Sequence, residues 1–119
     1  MMATVLVVDD SSFMRMRCVS TVKELGYDTV EAGDGAEAVQ TYKDQKPAAV
    51  LMDITMPGMD GLQALKEIMT LDPNARVAMV TAMGQQSMVI EAMKSGAKDF
   101  VVKPFEPEGV KAALTKLLG

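Results

Sequence analysis

Val50-Leu51-Met52-Asp53-Ile54-Thr55-Met56-Pro57-Gly58-Met59-Asp60-Gly61 is the stretch that decides how this chain folds. An apolar run from Ala48 to Met52 ends abruptly in a carboxylate, passes through a Pro/Gly turn and gives way to a helical pattern. A short apolar run bounded by turn residues reads as a buried strand. Asp53 then falls just beyond the strand's carboxyl end, where open α/β sheets place their chemistry.

The same unit recurs on both sides of this stretch. Thr4 to Val8 is a β-branched run closed by Asp9-Asp10, and Ser11 or Ser12 can cap a helix carrying Met14, Cys18, Val22 and Leu25 on one face. Tyr27 to Glu31 reads as a shorter strand, and Gly33-Asp34-Gly35 turns into a helix with Ala36, Val39 and Tyr42 inward. After the central strand, Leu62, Leu65, Ile68 and Met69 form the next helical face, stopped near Asp72-Pro73. Arg76 to Val80 is a fourth strand closing at Thr81, followed past Gly84 by a helix with Met88/Val89 and Ala92/Met93 inward. Asp99 to Val102 is a fifth strand reaching Lys103-Pro104, and Val110, Ala113, Leu114 and Leu117 give a closing amphipathic helix. Strand and helix alternate with connections too long for hairpins. That pattern predicts an α/β fold, a single-domain, doubly wound parallel sheet with helices on both faces.

Composition narrows the function. At 119 residues the chain predicts one domain, and 49% hydrophobic content excludes disorder. A net charge of −4 with no Lys/Arg block argues against nucleic-acid binding. No apolar stretch is long enough for a membrane span and no basic leader is visible, so a cytoplasmic protein without membrane contact is expected. One cysteine excludes an internal disulfide, and Cys18 reads as a buried small hydrophobe. The absence of histidine removes any histidine base, nucleophile or metal ligand. The 12 methionines read first as core filler and second as a recognition surface.

In a parallel sheet all strand carboxyl ends lie along one edge. Asp9 and Asp10, Asp53, Thr81 and Lys103 therefore converge, although each alone has a plain structural role open to it. Asp9 or Asp10 could favour the first helix dipole, Asp53 could serve a turn, and Lys103 could be a surface lysine. Three carboxylates in one crevice repel, and a hard cation such as Mg²⁺ relieves that repulsion through oxygen ligands. Formal charges then balance, Asp9, Asp10 and Asp53 against Mg²⁺ and Lys103. An incoming phosphoryl group would meet a metal, an ammonium and a hydroxyl donor, with Asp53 as nucleophile.

With Val-Val-Asp9-Asp10, Met52-Asp53-Ile54-Thr55-Met56-Pro57, Thr81-Ala82 and Lys103-Pro104-Phe105, the whole chain resembles a response-regulator receiver domain of the chemotaxis CheY type. The resemblance implies a flavodoxin-like sheet in strand order 2-1-3-4-5, an order that comes from the family, with residues 1–119 as one receiver domain. It implies Asp53 as phospho-acceptor from a sensor histidine kinase. Asp9, Asp10, Asp53 and the backbone carbonyl of Thr55 would be the Mg²⁺ ligands. Lys103 would contact the phosphoryl group, through a Lys103-Pro104 bond usually cis in the family. Thr81 and Phe100 would form the switch, the hydroxyl moving onto the phosphoryl group and the ring turning inward behind it. Thr55 and Met83 fall where the family tunes phosphoryl hydrolysis, and Met83 predicts slow self-dephosphorylation. The segment Gln85-Gln86-Ser87-Met88 to Lys98 favours the chemotaxis branch. A monomer is implied, acting through the 85–118 face on the flagellar motor switch or another target.

Four other readings compete. Gly33-x-Gly35-x-x-Ala38 mimics a dinucleotide fingerprint but follows the second strand and leaves Asp9 and Asp10 idle. A Mg²⁺-dependent phosphatase with an aspartyl-phosphate intermediate shares the site residues but usually has a second acid near the nucleophile, where this chain has Thr55. A receiver-fold adaptor that is never phosphorylated, and a phosphorelay intermediate, remain as alternatives to a terminal switch.

Overall fold

The structure, a computed structural model, describes residues 3–82 and 84–119. Strands and helices alternate as β1 (Thr4–Val8), α1 (Ser12–Glu24), β2 (Asp28–Ala32), α2 (Gly35–Gln45), β3 (Ala49–Asp53), α3 (Gly61–Leu71), β4 (Val77–Thr81), α4 (Gln86–Lys94), β5 (Asp99–Val102) and α5 (Pro107–Leu118). Every strand pair is parallel, and the sheet runs β2-β1-β3-β4-β5. The order reverses direction between β1 and β3, and the crevice beyond their carboxyl ends is the place such sheets reserve for ligands.

Successive residues of a strand face opposite sides, and β1 shows the result. Leu6 and Val8 enter a core with Val50, Met52, Leu65 and Ile68. Val5 and Val7 enter the other core with Cys18, Val22, Leu51 and Leu114. The central strands are apolar on both faces for this reason. Burial lifts the Cys18 thiol to about 12, with a smaller upward push from Asp9 and an opposing pull from Lys103, so the thiol is held unreactive.

Side chains set the helix starts. Ser11, not Ser12, caps α1 by accepting from the Met14 N–H. Asp34 caps α2 by accepting from the Glu37 N–H at 2.8 Å, while Glu37 accepts from the Gly33 N–H at 2.8 Å, a reciprocal pair that satisfies two donors. Asp60 caps α3 through the Gln63 N–H. At the far end of α3, Asp72 accepts a 2.8 Å hydrogen bond from the Tyr42 hydroxyl, tying α2 to the turn before β4. Burial and that contact with Asp72 push the Tyr42 hydroxyl well above the ordinary tyrosine range.

Several details differ from the sequence reading. Ala36 is exposed and Ala38 takes its place beside Val39 and Tyr42, because α2 begins at Gly35 and its buried stripe is one residue out of phase with the expectation. Tyr27 and Arg76 precede their strands. Asp53 and Thr81 are the last residues of β3 and β4 and not the first beyond them. Met93 is exposed, since α4 buries only Val89 and Ala92 fully. The methionines divide: Met52, Met56 and Met79 are core, whereas Met16 and Met93 face outward.

Gly61 fixes the geometry behind Asp53. A Cβ there would collide with the Asp53 carbonyl oxygen and the Ile54 Cα, and the Gly61 N–H donates to the Ile54 carbonyl at 2.7 Å. Gly61→Ala is predicted to destabilise by about 3 kcal/mol or more, since backbone cannot yield as a side-chain tip can. Gly109→Ala, in the first turn of α5 with its nearest neighbour 3.7 Å away, is predicted to stabilise by about 0.5–1 kcal/mol. Urea midpoints of both variants check this, and a tolerated Gly61→Ala would contradict the close approach.

Candidate functional site

Two turns and two strand ends build the site. Asp9 and Asp10 directly follow β1, Asp53 and Thr81 end β3 and β4, and Lys103 directly follows β5. One carboxylate oxygen from each of Asp9, Asp10 and Asp53 lies within 4.8 Å of the others. Lys103 Nζ is 2.8 Å from Asp9 Oδ2 and 3.4 Å from Asp53 Oδ1, bridging the pair. Asp9, Asp53 and Thr81 are buried, and Asp10 is exposed at the mouth.

Backbone contacts aim these groups. The Ser11 N–H donates to Asp9 Oδ1 at 2.9 Å, turning that carboxylate over the start of α1. Arg15 Nη1 donates to the Asp9 carbonyl at 2.6 Å and Arg15 Nε to Glu31 Oε1 at 3.1 Å, bracing the β1–α1 turn against β2. The Lys103 N–H donates to the Thr81 carbonyl at 2.6 Å, registering β5 on β4 so that the lysine stem points back towards β3. The Lys103-Pro104 peptide is cis, as the resemblance implies.

Burial lifts the Asp53 carboxyl to about 6; Lys103 draws it down, and Asp9 and then Asp10 push it up again. For Lys103 burial opposes the charge, but the hydrogen bond to Asp9 and the field of Asp53 outweigh it and hold the ammonium above its ordinary value. The carboxylates thus outnumber their one cation. An all-oxygen donor set with excess negative charge, partly open to solvent, fits a hard divalent cation.

The structure brings together Asp9, Asp10, Asp53, Thr81 and Lys103 as the sequence predicts. Phe100 lies apart on β5, 44% exposed and lining the groove beside α4. The expectation for Met83 falls outside the described residues. Two contributors carried no readable signal. Arg15 is one arginine on a polar helix face. Gln85 precedes α4, and its side chain reaches Thr81 Oγ1 and the Ala82 N–H, both at 2.8 Å, as well as Thr55 Oγ1. From Thr81 an apolar groove of about 640 Å³ runs between α4 and β5, lined by Val89, Ile90, Met93, Phe100 and Val102.

A carboxylate–lysine cluster at the switch point of a five-stranded parallel sheet defines a class, and comparison agrees. The response regulator receiver domain model matches residues 5–115, so the chain belongs to that family. It is 56% identical over 114 residues to the chemotaxis protein CheY of Thermotoga maritima, spanning 95% of each chain. It is 53% identical over 115 residues to the chemotaxis protein CheY of Bacillus subtilis, spanning 96% of each. The crystal structure of the CheX-CheY-BeF3-Mg+2 complex from Borrelia burgdorferi superimposes with a TM-score of 0.93 at 38% identity, covering 98% of this chain and 90% of that one. The protein is thus a signalling receiver of the chemotaxis type.

The raised Asp53 value has a stability consequence. Its folded pKa of about 6 lies above the ordinary 3.8, so the folded state holds the proton more tightly and ionised Asp53 opposes folding above pH 6. Asp53→Asn is predicted to stabilise EDTA-treated protein by about 1–2 kcal/mol at pH 8, allowing for solvent screening at the open mouth. The gain shrinks as pH falls from 6 towards 3.8 and vanishes below. Thermal unfolding across this range tests it; a lower midpoint for the variant at pH 8 would contradict it.

Proposed function

We propose that this protein is a phosphorylation switch of chemotaxis, with residues 1–119 forming one receiver unit and Asp53 accepting a phosphoryl group from the phosphohistidine of a sensor histidine kinase. The observation that carries the reading is the Lys103 ammonium bridging Asp9 and Asp53, which places a cation beside Asp53 at the carboxyl edge of the sheet. Asp53 Oδ attacks phosphorus as the P–N bond breaks, and the imidazole leaves with the electron pair and is protonated from solvent. Lys103 then exchanges a carboxylate partner for a phosphoryl oxygen without leaving the site, since its stem and backbone are already held. Thr81 offers a hydroxyl from the adjacent strand end. Asp9, Asp10, Asp53 and the Thr55 carbonyl would hold Mg²⁺, which supplies charge neutralisation and positioning for the transferring group.

The output follows from the groove beside Thr81. Movement of that hydroxyl towards Asp53 vacates space next to Phe100, and the ring turns inward, changing the surface from Gln85 to Leu118. A target that prefers the changed surface shifts the population towards it. The similarity to chemotaxis proteins supports the flagellar motor switch as that target and the cytoplasm as the place. Among the described residues no helix is long and apolar enough to cross a membrane. The chain turns over no substrate other than its own phosphoryl group.

Intact mass after incubation with acetyl phosphate tests the switch. One added phosphoryl group is expected in the wild type with Mg²⁺, and none with EDTA or in Asp53→Asn. Steady phosphate release without an adduct would replace the reading with a phosphatase, and target binding indifferent to Asp53→Asn would replace it with a constitutive adaptor. For the ring, NMR of the Phe100 side chain with beryllium fluoride and Mg²⁺ is expected to report transfer from solvent to a packed environment. An unchanged ring environment would remove Phe100 from the switch.

A further inference from the structure

We propose that Gln85 is a positioning residue that latches the unphosphorylated state, its side-chain amide competing with the phosphoryl group for the one proton of the Thr81 hydroxyl; this rests on the switch proposed above. Gln85 occupies the position before α4 where a side chain would ordinarily cap the helix, yet it makes no such bond. Gly84, at φ +89°, turns the chain so that the Gln85 side chain points back over the end of β4. Its Oε1 accepts from Thr81 Oγ1 and from the Ala82 N–H, both at 2.8 Å, and its Nε2 donates to Thr55 Oγ1. One amide therefore joins the loops after β3 and β4 across the mouth of the site.

A hydroxyl carries a single proton. The other acceptor near Thr81 Oγ1, the Ala82 carbonyl, is farther away at 3.1 Å. While the proton is given to Gln85 it is not given to a group on Asp53. Thr81 is only 2% exposed, so water does not readily replace either partner and the hydroxyl must choose between them. Gln85 is half-buried, and its amide can turn to solvent once released. The latch thus adds to the unphosphorylated state interactions that the phosphorylated state must break, which lowers the fraction of competent protein and the apparent affinity for the activating group.

Removing the amide should raise that affinity. Loss of the latch bonds predicts about three- to tenfold tighter binding of beryllium fluoride in the presence of saturating Mg²⁺ for Gln85→Leu and Gln85→Ala. Affinity for Mg²⁺ alone is expected to stay within about twofold, because no Gln85 atom belongs to the carboxylate set. In the metal-free protein the Ala82 amide, deprived of its acceptor, should exchange hydrogen faster in both variants. The decisive comparison is the Thr81→Ala background, where Gln85→Leu should leave beryllium fluoride affinity unchanged within about twofold. Fluorine NMR titration of the five proteins reads beryllium fluoride affinity, and proton–nitrogen NMR of the metal-free proteins reads the Mg²⁺ titration and the Ala82 amide exchange. Unchanged or weaker binding in both Gln85 variants would overturn the latch and leave the switch standing. A full effect persisting without Thr81 would overturn it as well, by showing that Gln85 acts elsewhere. Failure of the wild type to bind beryllium fluoride with Mg²⁺ would overturn the switch and the latch together.

Discussion

The contact between Lys103 and the two carboxylates of Asp9 and Asp53 is the constraint around which the sheet is arranged. Adjacent parallel strands lie about 4.8 Å apart, so placing β1 beside β3 brings two acids close enough to share one cation. Lys103 must come from β5, two strands from β3 and about 10 Å away, a gap suited to the reach of a lysine stem. The Thr81 carbonyl anchors the backbone of Lys103 on the way. Sheet order, strand register and the long side chain are thus parts of one electrostatic arrangement, with the two cores on either face holding it rigid.

Rigidity and charge pull in opposite directions here. The strand ends are buried because the hydrophobic layers extend almost to the edge, as Val8, Met52 and Val80 show. That burial disfavours the ionised form of Asp53, while Lys103 favours it. An acid held in this way is poorly matched to its surroundings, and its ionised form gains from any added positive charge.

Much of this was legible in the residues. Strand ends are marked by an abrupt change from apolar to polar, so Asp9, Asp53, Thr81 and Lys103 could be placed on one edge from spacing alone, and the bare strand–helix alternation carried the parallel sheet. Strand order was not readable from periodicity, because hydrophobic patterns say which faces are buried and not which strands are neighbours. The face of α2 was misread at Ala36 because two alanines compete within one turn and only the true start, Gly35, decides between them. The contact of Gln85 with Thr81 was invisible for a different reason. Its importance comes from a backbone turn at Gly84 and a side chain that declines the local cap for a non-local partner, and neither leaves a compositional trace. Phe100 is 44% exposed because β5 is the edge strand of the sheet and the groove beside α4 leaves the ring partly uncovered.

The close approach of Gly61 to the back of Asp53 divides the molecule into a stiff half and a compliant half. On the β3 side, backbone meets backbone: the turn from Ile54 to Gly61 is closed by its own hydrogen bond, and no side chain fits at Gly61 behind Asp53. On the β4–β5 side, the contacts are an amide, a hydroxyl and an aromatic ring beside an open groove. A disturbance applied at Asp53 meets a wall in one direction and a set of hinged side chains in the other. The direction in which information leaves the site is thereby set by where the chain cannot move, and the anvil matters as much as the moving parts.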